Sequence, residues 1–129
     1  MKKFLEWIGL KEKIHNNEIL PIFEEREVWW VGLGENIGHE EDGKGGSFER
    51  PFVIIKKFNK ELLFGIPCSS VHKNNKYYFK IFLESKNIQT SALLSQARVL
   101  SSRRLLRNVD KLGSGVFREL KKALNKALF

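Results

Sequence analysis

Short runs of β-branched and aromatic residues recur between turn-forming residues through the middle of the chain, and this spacing constrains the fold most strongly. The runs lie at 27–33, 52–57, 62–67 and 77–83, with a fifth candidate at 91–100. Each run has the length of a strand, and polar or glycine-containing residues that favour turns separate them. Short strands in this succession predict a mainly β fold, an antiparallel barrel or sandwich rather than a parallel α/β fold.

The two ends of the chain predict helices instead. Residues 1–15 carry apolar side chains at near-helical spacing, interrupted by Gly9, so we expect a short helix within an N-terminal extension of residues 1–25. Residues 26–129 are expected to form the barrel domain, which ends in a helix that Ser114 can cap. The stripe that this last helix would bury consists of Phe117, Leu120, Leu124, Ala127 and Leu128.

The charge of the chain points to a polyanionic partner. It holds 23 Lys and Arg against 15 Asp and Glu, a net charge of +8 at pH 7. Most of the excess lies in the segment from Arg98 to the end, where nine basic residues face only Asp110 and Glu119. Such a surface attracts nucleic acid, an acidic protein or anionic lipid, although a solvated helix face explains the last lysines equally well.

The single cysteine and the hydropathy of the chain bear on its compartment. Cys68 cannot form an internal disulfide, which suits a reducing compartment. No window approaches the roughly 18 apolar residues of a transmembrane helix, and Glu6 interrupts an N-terminal apolar run that is too short for a signal peptide. We therefore predict a cytoplasmic protein that does not engage a membrane.

Several motifs that would indicate another chemistry are incomplete. The glycines of residues 32–38 have the spacing GxGxxxG, and residues 38–45 match a Walker A loop except that Gly45 replaces its Ser or Thr. One cysteine and three scattered histidines make no zinc spacing. A nucleophilic pair of Cys68 and His72 is conceivable, although a small buried cysteine in a strand is the commoner case. We predict neither a metal nor a cofactor.

Three separated segments, taken in order, are more specific than any one of them. They are residues 29–32 leading into Gly38-His39-Glu40 and the Arg50-Pro51 strand, residues 66–70 with Ser69-Ser70, and residues 93–105 with Gln96-Ala97-Arg98. This order closely resembles the PemK/MazF toxin family, over roughly residues 27–113. The resemblance implies an SH3-like barrel, usually a homodimer, that is the toxin of a toxin–antitoxin system. It also implies an endoribonuclease that cleaves single-stranded RNA at short sequences without a metal.

The implied reaction explains why these residue types are needed. The ribose 2′-hydroxyl attacks the neighbouring phosphorus, so the protein must orient that attack and stabilise charge on the phosphoryl oxygens. By the resemblance, Arg50 is the first catalytic candidate, because a guanidinium forks onto two phosphate oxygens. A guanidinium stays protonated in proteins, so we favour electrostatic stabilisation and leave the acid and base unassigned. Ser69 stands where the family usually has threonine and keeps its hydroxyl, and Ser70 is able to share that role.

The resemblance also suggests supporting residues and a protein partner. His39 and Glu40 lie in the loop that resembles the GxE element of the family, where a carboxylate would orient Arg50 or pair with it. Gln96 would read a base edge and Arg98 would hold backbone phosphate, unless both are ordinary exposed strand residues. A cognate antitoxin is expected to contribute an acidic, partly disordered segment that complements the charge of the toxin.

Two other functions remain open from the sequence. A catalytically silent barrel that binds nucleic acid or an acidic protein would show the same charge and aromatic residues. A peptide-binding SH3-like module needs an exposed aromatic groove, for which the pairs Trp29-Trp30 and Tyr77-Tyr78 are candidates. Strand alternation sends one residue of each pair inward, so we expect at most one of each to be available for stacking on a base.

Overall fold

A computed structural model of the protein describes residues 19–33 and 49–129. The expected N-terminal helix at 1–15 lies outside this part of the chain, as do His39 and Glu40. The elements are β1 (Glu27–Gly32), β2 (Glu49–Lys57), β3 (Leu62–Ser69), β4 (Tyr78–Leu83), β5 (Ile88–Leu93), β6 (Arg98–Ser101), β7 (Leu105–Lys111) and one helix, α1 (Ser114–Leu128).

The seven strands form one curled antiparallel sheet in the order β4-β5-β3-β2-β1-β7, with β6 also paired to β3. One edge of β3 pairs with β2, and the other edge is shared by two partners. Its first half pairs with β6, whereas its last residues, Cys68 and Ser69, pair with Ala92 and Ser91 of β5. The sheet curls into a half-barrel, with one edge of β3 shared between β5 and β6. The prediction of a mainly β fold with a C-terminal helix is confirmed.

The predicted fifth strand at 91–100 is wrong, because two strands occupy this region. The first, β5, ends at Leu93, a 3₁₀ turn spans Leu94–Gln96, and β6 begins at Arg98. Leu94 is fully buried, and its backbone N–H donates to the carbonyl of Tyr77 at 2.8 Å. Ala92, Leu93 and Leu94 are buried in succession. A strand with one exposed face would expose every second residue, so this run fits a strand that continues directly into a buried turn.

Strand β7 was absent from the sequence-based prediction. Its residues are mainly polar or charged, and its burial pattern lacks the alternation that marks a half-buried strand. It is held instead by its pairing with β1, which contains two register shifts. The local composition therefore carried no strand signal, although the strand forms one edge of the sheet.

Both faces of β2 are buried, which explains its nearly continuous apolar run. Val53 pairs with Val28 of β1 and packs into the core beneath α1, whereas Phe52 pairs with Trp29 and packs into a second core inside the curl of the sheet. The first core includes Val28, Val53, Ile66, Cys68, Ile81, Leu94, Phe117, Leu120 and Leu124, and the second includes Phe23, Trp29, Val31, Phe52, Ile54, Leu63, Leu100 and Leu105.

Helix α1 covers the first core with the predicted stripe. Phe117, Leu120 and Leu124 are buried, whereas Leu128 is exposed at the end of the helix. The helix begins at Ser114 itself, and Gly113 occupies the capping position without a side-chain hydrogen bond. The predicted capping role of Ser114 is therefore wrong. Over the ranges that the structure describes, no helix combines the length and the apolar character that crossing a membrane would require.

Residues before β1 also contact the barrel. Phe23 is buried in the second core, and Lys57 donates to its carbonyl oxygen at 3.0 Å while its ammonium lies 4.8 Å from the centre of the Phe23 ring. The Glu25 carboxylate accepts from the backbone N–H of Lys57 at 3.0 Å. The last residues of the expected extension are thus tied to β2.

Candidate active site

Arg50 is a charged residue inside the sheet. It lies in β2 opposite Val31 of β1, and it is 5% exposed. Its Nη1 donates to the carbonyl oxygen of Cys68 on β3 at 3.1 Å. Burial of a charged group is costly unless polar partners compensate, so this contact anchors the guanidinium and fixes its direction.

Ser69 ends the neighbouring strand, β3, and is 3% exposed. Its Oγ accepts from the backbone N–H of Val71 at 3.1 Å, and its carbonyl oxygen accepts from the Thr90 hydroxyl at 2.9 Å. With Oγ held as an acceptor, the hydroxyl proton can be directed to an oxygen that enters the site. Ser70, the next residue, is exposed.

A single open pocket brings these residues together. It has a volume of about 330 Å³, and Arg50, Ser69 and Ser70 all contribute to its wall. The remaining wall comes from the β4–β5 hairpin, from β1 and the edge strand β7, and from further residues of β2 and β3. Its other lining residues are Trp30, Glu49, Pro51, Cys68, Leu83, Lys86, Ile88, Gln89, Thr90, Arg107 and Val109.

The charged residues of the pocket are mostly basic. Arg50, Lys86 and Arg107 face Glu49 as the one acidic residue in the lining, a net charge of +2. Arg107 Nη1 lies 2.8 Å from the Glu49 carboxylate, and its guanidinium lies 5.1 Å from the centre of the Trp30 ring. No sequence motif marks Glu49, Lys86 or Arg107, because only the fold brings β2, the β4–β5 hairpin and β7 to one pocket.

The tryptophan pair follows the predicted alternation. Trp29 is buried in the second core, whereas Trp30 is half-buried and lines the pocket. The expectation that alternation sends one residue of this pair inward is therefore confirmed. The same expectation is wrong for the tyrosines, because Tyr77 is exposed and Tyr78 is only half-buried. Tyr77 lies in the turn before β4, which begins at Tyr78, so strand alternation does not apply to this pair.

Gln96 and Arg98 lie outside the pocket. Gln96 is in the 3₁₀ turn, and Arg98 begins β6, where its side chain is exposed. Arg98 approaches Arg104 instead: burial first, and then the charge of Arg98, lower the pKa of the Arg104 guanidinium. The supporting residues His39 and Glu40 belong to the part of the chain that the structure does not describe.

Cys68 and His72 do not form a nucleophilic pair. The Cys68 thiol lies in the first core, where burial raises its pKa to about 12 against an opposing effect of the Arg50 charge. His72 Nδ1 lies 2.6 Å from the hydroxyl oxygen of Ser91. Cys68 is therefore a neutral core residue, as the commoner interpretation of its sequence context predicts. Within residues 19–33 and 49–129, His, Cys, Asp and Glu side chains form no cluster of three or more able to hold a metal ion.

Solved structures with this fold are numerous. The chain is similar to MazF from Deinococcus radiodurans, with a TM-score of 0.69 and 19% identity over 86% of this chain and 98% of that one. It is also similar to the Mycobacterium tuberculosis toxin MazF-mt6, with a TM-score of 0.62 and 12% identity over 79% and 95% of the two chains. A third similar structure is a mycobacterial endoribonuclease solved in complex with its cognate antitoxin. Its TM-score is 0.65 and its identity 10%, over 83% of this chain and 95% of that one. At these identities the likeness shows the fold alone.

Sequence comparison gives the family. No curated protein matches the chain. The family described as "PemK-like, MazF-like toxin of type II toxin-antitoxin system" matches residues 24–128, which is most of the chain and includes every element from β1 to α1. The chain therefore belongs to the family of PemK-like, MazF-like toxins of type II toxin–antitoxin systems.

Proposed function

We propose that this toxin is a metal-independent endoribonuclease that cleaves single-stranded RNA, mRNA included, in the cytoplasm. The observation that carries the proposal is the placement of Arg50 and Ser69 on adjacent strands in the wall of one open, basic pocket. The family resemblance of the sequence implies both residues as catalytic candidates, and both line the same cavity. Family membership supports the same activity, since one solved relative is named as an endoribonuclease.

The proposed reaction is an intramolecular transesterification. The ribose 2′-oxygen forms a bond to the adjacent phosphorus while the bond from phosphorus to the 5′-oxygen of the next nucleotide breaks. The products are a 2′,3′-cyclic phosphate and a free 5′-hydroxyl. The protein accelerates this step by aligning the attack and by stabilising negative charge on the phosphoryl oxygens.

Arg50 supplies the charge stabilisation in this proposal. Its guanidinium donates to the Cys68 carbonyl, and the planar fork of a guanidinium matches the geometry of two phosphate oxygens. Ser69 donates its hydroxyl proton to a phosphate oxygen while its Oγ accepts from Val71. Neither role requires the guanidinium to lose a proton, so Arg50 acts as an electrostatic catalyst.

The test is digestion of a mixed RNA by purified protein in EDTA, with the ends of the fragments mapped. We expect wild-type protein to produce fragments with 2′,3′-cyclic phosphate ends. Arg50→Ala should lower kcat by about 100-fold or more, the range for loss of one pre-organised charge-stabilising donor. Arg50→Lys should recover little of this loss, because an ammonium keeps the charge without the planar fork.

The matched control is Arg118→Ala, which removes the same charge from an exposed position on α1 that lines no part of the pocket. Intact RNA after incubation with folded wild-type protein would contradict the proposal. Retained affinity for RNA without cleavage would instead select the catalytically silent nucleic-acid-binding barrel.

A cognate antitoxin and self-association belong to the same proposal. Structures of relatives include complexes of MazE with MazF from Deinococcus radiodurans and of a mycobacterial endoribonuclease with its antitoxin. A net charge of +8 and a pocket rich in Arg and Lys suit an antitoxin with an acidic, disordered segment that folds over the site. We further propose that the toxin is a homodimer.

A further inference from the structure

We propose that Arg107 is a second phosphate-binding arginine, which holds the RNA backbone beside the phosphate that Arg50 contacts. The inference rests on the proposed RNA cleavage and adds a residue of β7 to the site. Arg107 lines the same pocket as Arg50, but it is 58% exposed where Arg50 is almost fully buried. The two arginines therefore differ in kind, since one forms the floor of the pocket and the other its rim.

The two arginines lie in the strands that pair with the two edges of β1. Arg50 pairs with Val31, and Arg107 pairs with Trp30 from the other edge of the same strand. Two strand spacings separate their backbones, which is about 10 Å. The apolar side chains of Leu83, Ile88 and Val109 line the pocket as well. A nucleotide can thus lay its ribose and base against this apolar wall while successive phosphates meet the two guanidiniums.

Two neighbours hold the Arg107 guanidinium in place before RNA arrives. The Trp30 ring lies beneath it at 5.1 Å, and the Glu49 carboxylate accepts from Nη1 at 2.8 Å. Stacking on an aromatic ring and a fork of donors suit arginine and would not suit lysine. This ordering lowers the entropy lost when the side chain engages a phosphate.

The contact with Glu49 is of a kind that phosphate can replace. An ion pair with this exposure contributes little to stability, because solvent screens it. The two non-bridging oxygens of a phosphodiester offer the same bidentate geometry as a carboxylate and, like it, share one negative charge. Glu49 therefore keeps Arg107 oriented in the free protein and releases it when the RNA backbone enters.

The test separates binding from cleavage. Affinity for a mixed-sequence 2′-O-methyl RNA oligonucleotide, which lacks the attacking hydroxyl, is measured by fluorescence anisotropy over a range of salt concentrations. Cleavage of unmodified RNA by the same preparations is followed in parallel. The variants are Arg107→Ala and Arg107→Lys, with Arg118→Ala as the matched exposed arginine on α1.

Loss of one phosphate contact to a single strand reduces the slope of log affinity against log salt by about 0.7. We expect this reduction, with several-fold weaker binding at low salt, for Arg107→Ala. Arg107→Lys should restore the slope, because the slope counts charges, while recovering only part of the affinity. Arg118→Ala should match the wild type, and all variants should show wild-type thermal unfolding.

An unchanged slope in Arg107→Ala, or a wild-type protein that does not bind the oligonucleotide at low salt, would overturn the inference. Binding with the expected slopes but without cleavage of unmodified RNA would refute the proposed ribonuclease function and leave the Arg107 contact standing. The two failures are therefore distinguishable.

Discussion

Burial decides what each side chain of the pocket can do. The buried Arg50 guanidinium donates to the backbone carbonyl of Cys68 on β3. The thiol of the same Cys68 is neutral because it faces the apolar core, where burial raises its pKa. Ser69 and Ser70 are adjacent in sequence, yet only the first is buried in the wall of the pocket while the second is exposed. Sequence reasoning named both serines as candidates, and burial is the property that separates them.

The two serines should differ in their effect on cleavage. We expect Ser69→Ala to lower kcat by about 10- to 100-fold, which corresponds to a lost hydrogen bond to a charged group of about 1.5–3 kcal/mol. Ser69→Thr should retain activity because it keeps the hydroxyl, and Ser70→Ala should cost less than Ser69→Ala. Steady-state kinetics on an RNA that contains the mapped cleavage site measures all three. A larger loss in Ser70→Ala would transfer the proposed role to Ser70.

The Cys68 thiol should be inert in the folded protein. Burial raises its pKa from 9.0 to about 12, so it carries no thiolate at neutral pH. A thiol reagent at neutral pH should label the protein only after addition of denaturant. Rapid labelling of the native protein would contradict this placement.

The same thiol should make stability depend on alkaline pH. Below pH 9.0 the thiol is protonated in both states and has no effect on the pH dependence. As the pH rises from 9.0 towards 12, the unfolded chain loses its proton first, so the free energy of unfolding falls. Cys68→Ala should lack this component when denaturant unfolding is compared across that range.

At the scale of secondary structure, β3 organises the site. Its first residues pair with β6 and its last two with β5, while β2 pairs with residues 63–67 on the other edge. Ser69 is therefore placed by the end of a strand that three neighbours hold in register. Gly65 lies in the middle of β3, opposite Ile54 of β2. A side chain at this position would overlap the Val53 carbonyl oxygen and the Phe52 ring.

Gly65→Ala should therefore destabilise the fold, by about 3 kcal/mol or more, because the overlap is with backbone and with a buried ring. Gly115→Ala is the matched control, since a methyl group there meets nothing within 4 Å and the residue lies in α1. It should stabilise the protein by about 0.5–1 kcal/mol through helix propensity. Denaturant unfolding measures both. An equally stable Gly65→Ala protein would show that β2 and β3 can separate without cost.

At the scale of the whole molecule, the positive charge of the chain extends into the lining of the pocket. The net charge is +8, and the basic C-terminal segment supplies Arg107 to the rim of the pocket. Several large apolar residues remain exposed on the surface that the structure describes, among them Leu62 of β3 and Val99 of β6. A contiguous patch of exposed apolar residues is typical of a surface that contacts another subunit, and the dimer expected below would cover Leu62 and Val99 in this way.

We expect the toxin to be a dimer in solution. Light scattering at micromolar concentration should give twice the chain mass of 15.0 kDa. Replacing Val99 with Glu is expected to shift the mass towards the monomer, because a charge would be placed on an exposed apolar position of β6. The exposed Lys121→Gln on α1 is the control, because it also lowers the net charge by one. A monomer mass for the wild-type protein would exclude the dimer.

The sequence by itself determined the class of fold and supplied the two candidate residues that lie at the floor of the pocket. Short apolar and alternating runs indicate strands, so β1 to β4 were predictable. Apolar residues at helical spacing likewise made the buried stripe of α1 predictable. Arg50 and Ser69 were predictable as candidates because they stand in an ordered set of short segments that matches a family, while their common pocket follows from the pairing of β2 with β3.

Only the tertiary structure decided the rim of the pocket and the path of the chain after β5. Arg107 and Glu49 are 58 residues apart, and neither carries a local signal that predicts their contact. The division of residues 91–100 into β5, a turn and β6 likewise depends on the bend of β3, whose edge must serve two partners. The physical reason is that hydropathy encodes the face a residue presents, whereas the curl of the sheet and its register determine which distant residues meet there.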